Sequence, residues 1–279
     1  MGVINKCCEM AGIERLTPDN VDLEDENVWM SIAKDNRSIF QWESKMAQGI
    51  LENMFSDETL NRIKSHTDNF SYLKWFSFGN GLLRPSCASF RDEASLGIAY
   101  DNGLEEINSF LSSSWCVEFC GYSEAESDSV RRAIAKKKGT EQLLPEIERR
   151  FIETCNKKYG TPISKLKEVV KPFLQVIIDA SEYGFSENHS DPYSMIGYIL
   201  GYLRYYYPVE YIASSLNAFS DNKYKEKRAE VTQMAKDMNI VIKPPKFRYS
   251  KAEYLANKVD KSIYKGVGSI SYLNYTVAD

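Results

Sequence analysis

Apolar positions recur at three- and four-residue spacing through most of the chain after residue 123, the pattern of helices that bury one face. The stretch TPISKLKEVVKPFLQVIIDASEY shows it most plainly, with Leu166, Val169, Val170, Phe173, Leu174 and Ile177 on a helical stripe. Thr161 is placed to cap that helix and Pro162 to open it. Pro172 inside it predicts a kink or a split, because proline has no N–H and clashes with the preceding turn. The segment HSDPYSMIGYILGYLRYYYPVEYIASSLNAF repeats the device, with Asp191 as cap and Pro192 as opener. That helix should end near Tyr207, and Pro208 can start the next. DNKYKEKRAEVTQMAKDMNI reads as a charged helix with an apolar stripe at Val231, Met234 and Met238, and VIKPPKF as a proline-stiffened exit.

The first half is less regular. A helix is expected from about Val28, after the acidic, turn-rich TPDNVDLEDEN, and another after SIFQWES. Ser56 should cap a helix in MFSDETLNRIK, and Ser123 with Glu126 has capping-box spacing. Between Asp68 and Gly103 aromatics, glycines and a proline show no sustained period. That predicts an irregular segment packed on the rest. The fold class is mainly α, with at most short strands.

Composition narrows the picture further. The chain has 279 residues, a formal net charge of −4 and 43% hydrophobic residues. This suits one large or two smaller globular domains. Acidity overall argues against a generally sticky nucleic-acid binder but leaves room for a local basic site. No apolar run reaches the ~20 residues that span a bilayer, so no membrane partner is expected. The start MGVINKCCEM lacks signal-peptide layout, and Lys6 stands where a myristoylation signal needs Ser or Thr. The six cysteines include no C-x-x-C pair, and the histidines are only His66 and His189. Reduced thiols in the cytoplasm and no resident metal or cofactor are the expectation.

Four stretches could carry chemistry. SVRRAIAKKKGTEQ concentrates Arg131, Arg132, Lys136, Lys137 and Lys138. On a helix Arg132 and Lys136 share a face, Arg131 and Lys138 a neighbouring one, and Gly139 ends it. Arginine forks and lysine ammonium groups suit phosphate, although a charge run is by composition alone first a solvated face. In YGFSENHSDPY, His189 and Ser190 precede a helix N-terminus, where backbone N–H groups favour an anion; a capping loop with a satisfied imidazole explains them equally well. GLLRPSCASFRD offers Arg84 and Arg91, which a structural reading pairs with acids. The tyrosines at 198, 202, 205, 206 and 207 could stack bases, but at helical spacing they read first as core and groove filling.

Taken in order, SIFQWES, GLLRP, CGYSEAESDSVRRAIAKKK, YGFSENHSDPYSMIGYILGYLRYYYPVEYIASSLN and SIYKGVG resemble the fingers region of family C DNA polymerases, the bacterial replicative α subunits. That family carries G-x-F-Q-x-E-S, L-x-R-P-G, G-[YF]-S-x-x-[ED]-[AS]-D-x-x-R-R-x-x-x-K-K, Y-G-F-N-x-x-H-[SA]-x-x-Y leading into K-x-x-[YH]-P-x-E-[FY], and [IL]-K-G-[VI]-G. Five blocks in one order, from residue 38 to 268, are far more specific than any one of them.

The resemblance implies a multi-helix fingers domain with few short strands. Residues 1–110 would be its N-terminal part, with the irregular segment at 68–103. Residues 111–260 would be its helical core with the basic, nucleotide-facing helix, and 261–279 the start of the following region. It implies that Arg131, Arg132, Lys136, Lys137 and Lys138 face the phosphates of an incoming dNTP and the primer terminus. Tyr183, Gly184, Phe185, Asn188, His189, Ser190 and Tyr193 would line the nucleotide side, with Arg84 from L-x-R-P-G. Gln41 and Glu43 would be structural or near the nucleotide. Primer–template DNA, dNTP and the palm and other polymerase domains are the implied partners, and Mg²⁺ the ion of the intact enzyme.

The departures from the pattern are Ser86 for glycine, Ser186 for asparagine, and Ser112-Ser113-Ser114 where a Q-E-x-x-M element belongs, which reads as a deletion bridged by a linker. The D-x-D palm motif that would hold two Mg²⁺ ions lies upstream of this region in the family, and DLEDEN lacks its strand context. No polymerase activity is expected from the chain alone. The rival readings are a polymerase-derived binding or regulatory protein without catalysis, and a helical protein-interaction module with a basic face.

Overall fold

The computed structural model describes residues 2–84, 91–98, 119–135, 140–182, 187–246 and 250–270. Among them the protein is mainly α-helical, with three short strands. It forms two compact units, one of residues 1–48 and 192–279, the other of residues 49–191. The functional segments expected above, 1–110, 111–260 and 261–279, are a different kind of division and stand apart from this one.

The first unit holds α1 (Gly2–Ala11), α2 (Glu26–Lys34), the C-terminal part of α10 (Glu187–Tyr206), α11 (Pro208–Ala218), α12 (Lys225–Asp237) and a small sheet. The sheet holds β1 (Val241–Lys243), β2 (Leu255–Asn257) and β3 (Ser262–Tyr264) in the order β1-β3-β2. β1 runs parallel and β2 antiparallel to β3. The stretch read as a proline-stiffened exit is thus an edge strand; the prolines at 244 and 245 stop it after three residues, since they cannot donate to a ladder. α11 is the hub. It packs on α1, α12, β2 and β3, and Tyr211, Ile212, Ala213 and Leu216 close a core with Ile4, Cys7, Leu203, Val231, Met234 and Ile263. Pro208 opens α11 as its spacing predicts. Asp25 caps α2 through the N–H of Asn27, at 3.0 Å.

In the second unit, Ser56 caps α4 (Asp57–His66), accepting from the Thr59 N–H at 3.3 Å. The segment 68–103, expected to be irregular, contains α5 (Tyr72–Leu82) and α6 (Arg91–Ser95). Ser71 caps α5. Tyr72, Trp75, Phe76, Ser77, Gly79, Asn80 and Leu82 are all buried, so α5 is covered on most sides and has no polar face to reveal its period. α7 (Glu124–Ala135) starts with the expected capping box: Ser123 Oγ accepts from Glu126 N–H at 3.3 Å, and Glu126 accepts from Ser123 N–H at 2.9 Å. α8 (Thr140–Tyr159) and α9 (Ile163–Glu182) pack side by side, and Val130, Ile147, Phe151, Leu166 and Val170 form their shared core with α7.

Two expectations on these helices need correction. α9 runs unbroken through Pro172, which excludes the split of the two outcomes expected there. Its buried stripe is Leu166, Val170 and the partly buried Leu174, and Val169 faces solvent at 55% exposure. α10 begins at Glu187, before the expected Asp191–Pro192 start, and Pro192 lies inside it. Asp191 does not serve as cap there, because its carboxylate accepts the Ser77 hydroxyl.

Candidate nucleic-acid interface

The loop between α2 and α3 (Lys45–Met54) carries the SIFQWES block, and the fold holds it from many sides. Two of its residues, Ser38 and Gln41, have φ of 57° and 74°, the left-handed region that disfavours side chains. Asn36 is buried and its side-chain amide donates to the carbonyls of Trp42 and Ser44, at 2.5 and 2.8 Å. Gln48 accepts from the Asn36 N–H and donates to the Ala33 carbonyl. The Ser38 and Tyr211 hydroxyls lie 2.9 Å apart. Arg204, 1% exposed, reaches from α10 and donates to the carbonyls of Arg37, Asp35 and Ser31 at 2.7, 2.5 and 3.1 Å.

Charge completes the bracing. Arg37 bridges Asp35 and Asp237, at 2.7 and 2.8 Å. Burial would push the Asp35 carboxyl up, but the hydrogen bonds and charges of Arg37 and Arg204 hold it below the usual carboxylate range. Glu43 pairs with Lys227 at 3.0 Å. Trp42 is fully buried in the middle of the loop, and Phe40 beside it stays 39% exposed. The Phe40 ring meets Tyr193 of α10 in a T-shaped contact, centroids 5.4 Å apart. The SIFQWES loop therefore meets Tyr193, the last residue of YGFSENHSDPY, within one unit.

The other predicted residues are distributed as follows. Arg131 and Arg132 lie near the end of α7, and Asn188 and His189 in the first turn of α10; for these four the description covers the backbone. His189 and Ser190, expected before a helix, stand inside one. Ser190 is buried, with its hydroxyl 2.9 Å from that of Ser77, so it ties α10 to α5. Arg84 follows the end of α5 and is partly buried. Arg91 donates to the carbonyls of Leu82 and Arg84, at 2.6 and 2.8 Å. A cation on the last carbonyls of a helix is a favourable C-terminal cap. Lys136, Lys137, Lys138, Tyr183, Gly184, Phe185, Ser186, Ser86 and the Ser112–Ser114 stretch lie outside the described residues.

The tyrosines divide. Tyr198 is buried against Trp29, at 4.6 Å between centroids, as core filling requires. Tyr205 and Tyr206 are 43% and 45% exposed, which the core reading did not anticipate. The Tyr206 hydroxyl donates to Asp25 at 2.6 Å, and that bond raises its pKa to about 12.

Among the described residues no three or more His, Cys, Asp or Glu side chains gather where a metal ion could sit. The carboxylates of DLEDEN serve local bonds: Asp22 accepts the Glu24 N–H, and Asp25 caps α2. No described helix is long and apolar enough to cross a membrane.

Sequence reasoning missed Arg204, Asn36 and Gln48 as the residues that shape the loop. The signal lay in K-x-x-[YH]-P, whose cation falls on Arg204.

The blocks resemble those of a replicative DNA polymerase, and comparison with known proteins finds the same likeness. The chain is 33% identical over 160 residues to DNA polymerase III subunit alpha of Staphylococcus epidermidis, covering 57% of this chain. It is 33% identical over 147 residues to the subunit of that name from Ureaplasma parvum, and 31% over 159 residues to that of Staphylococcus aureus. The matched stretch is 14% of each relative's length. No family model matches the chain. Over that stretch the chain is a homologue of DNA polymerase III subunit alpha, a polymerase-derived region.

Proposed function

We propose that the chain is a fingers region that contacts primer–template DNA and the incoming dNTP, while a palm supplies Mg²⁺ and the phosphoryl-transfer chemistry. The observation that carries this reading is the homology to the polymerase subunit over 57% of the chain, joined to the five blocks in family order. In this reading Arg131, Arg132 and the lysines at 136–138 neutralise phosphate, Arg84, Asn188 and His189 add polar contacts, and Tyr193 stands beside the nucleotide. Ser190, tied to Ser77, acts by holding α10 on α5.

The test is fluorescence anisotropy of a labelled primer–template across a salt series, with and without dNTP. Phosphate contacts make log K fall linearly with log salt. The double variant Arg131→Ala/Arg132→Ala should bind more weakly and with a slope reduced by about one for each phosphate no longer neutralised. Salt-independent binding, or full affinity in the double variant, overturns the assignment.

A further inference from the structure

We propose that Phe40 is a stacking surface for an unpaired nucleobase; this rests on the nucleic-acid reading above and adds to it a residue of the SIFQWES loop.

The loop is built to hold this ring still. A left-handed φ at Ser38 and again at Gln41 costs free energy at any residue with a side chain. Such strain persists only where the surroundings over-determine it, and it clusters at sites that must present a group in one place. Here the surroundings are Arg204 on three carbonyls, Asn36 on two more, and the Ser38–Tyr211 contact. A loop needed only to join α2 to α3 could relax these angles.

What the bracing presents is apolar and planar. Ile39 and Trp42 turn inward and are fully buried, whereas Phe40 is 39% exposed and Met46, at the start of α3, 47%. Tyr193 meets the Phe40 ring with its plane at 75°, so the two rings brace each other without stacking face to face. Every base has a π-face, so an exposed aromatic ring binds bases without regard to sequence. Because the ring is already fixed, little conformational freedom is lost when a base settles on it. Phe40 carries no charge and no hydrogen-bonding group, so its contribution is separable from that of the cations.

The experiment uses the whole chain with a primer–template whose single-stranded overhang carries 5-iodouracil at one position in turn, and in a parallel arm with 5-iodo-dUTP alone. Long-wavelength irradiation joins iodouracil to an aromatic ring stacked on it, and mass spectrometry locates the joined peptide. The expected result is a cross-link at Phe40, with the arm that gives it telling a strand base from a free nucleotide. Phe40→Ala should lose that cross-link and weaken binding about fivefold or more, with an unchanged salt slope because every phosphate keeps its cation. Phe40→Trp should keep both. Wild-type affinity in Phe40→Ala, or cross-links confined to other residues, overturns this proposal while leaving salt-sensitive DNA binding intact. Absence of any DNA binding by the wild-type chain overturns the underlying reading and this proposal with it.

Discussion

Phe40 and Tyr193 meet at 5.4 Å with their ring planes 75° apart. The first belongs to a loop after α2 and the second to α10, so this contact is one of the joints that give the SIFQWES block its place. Edge-to-face aromatic pairs add about 0.5–1.5 kcal/mol beyond the area they bury. A double-mutant cycle with Phe40→Ala and Tyr193→Ala, followed by urea unfolding, should return a coupling in that range. Additive single effects would show that the rings are neighbours without being partners.

Arg204 carries more of the loop than the aromatic joint does. Its guanidinium is buried and serves three carbonyls, and an arginine stays charged even where burial draws its pKa down. Arg204→Met removes the guanidinium from those carbonyls, of which, among the described residues, only that of Ser31 keeps a second donor, the Asp35 N–H, and a cost of about 3–5 kcal/mol is expected. Arg204→Lys retains three donors on a charged group and should lose less than half of that. Amide hydrogen exchange localises the effect: the N–H groups of Ile39 and Trp42, bonded to the carbonyls of Asn36 and Ile39, should exchange faster in the Met variant. Equal stability of the two variants would remove Arg204 from this role.

What the sequence revealed and what it hid follow from the range of the interactions involved. Ser56, the Ser123–Glu126 box and Pro208 are legible because a cap is settled within four residues. The mainly helical class is legible because most helices keep one polar face. α5 is hidden because burial on most sides erases the period. The early start of α10 is hidden because Asp191, a good cap by type, is engaged by Ser77. The pinned loop is hidden most deeply. Its left-handed residues are Ser38 and Gln41 rather than glycines, and the groups that hold them, Arg204 and Tyr211, come from far along the chain.

The ion pairs around that loop set an acid limit. Asp35 and Asp237 both lie below the usual carboxylate range. At Asp35 burial works the other way and is outweighed by Arg37 and Arg204; at Asp237 the Arg37 hydrogen bond leads. A carboxylate with a depressed folded pKa stabilises the fold above its unfolded value, roughly 4. That stabilisation drains away as pH falls through the folded value. The urea midpoint should therefore hold from neutral pH down to about 5 and drop steeply below about 4. Asp35→Asn should lower the midpoint at pH 7 and flatten the drop, more than Asp237→Asn does, because Asp35 is the less exposed partner. An identical acid profile in wild type and Asp35→Asn would place the acid sensitivity elsewhere.

Gly266, the first glycine of the SIYKGVG block, is required by space and not by backbone angle. Its φ of −66° is open to any residue. A Cβ there, however, would lie 2.2 Å from the Ala252 carbonyl oxygen and 2.5 Å from the Glu253 carbonyl carbon. Backbone atoms on that side cannot swing away, because the Val267 and Gly268 N–H groups bond the carbonyls of Lys251 and Ala252, at 2.9 and 3.1 Å. Gly266→Ala should cost about 3 kcal/mol or more, or force the segment off β3. Gly12 makes the contrast: its φ is +70° but a Cβ would meet nothing within 4 Å. Gly12→Ala should cost only the left-handed strain, about 1–2 kcal/mol. Urea unfolding of the two variants separates the causes. If Gly266→Ala is no worse than Gly12→Ala, the close approach of the two backbones is not what keeps glycine in the block, and a ligand or partner at that turn becomes the reason to look for.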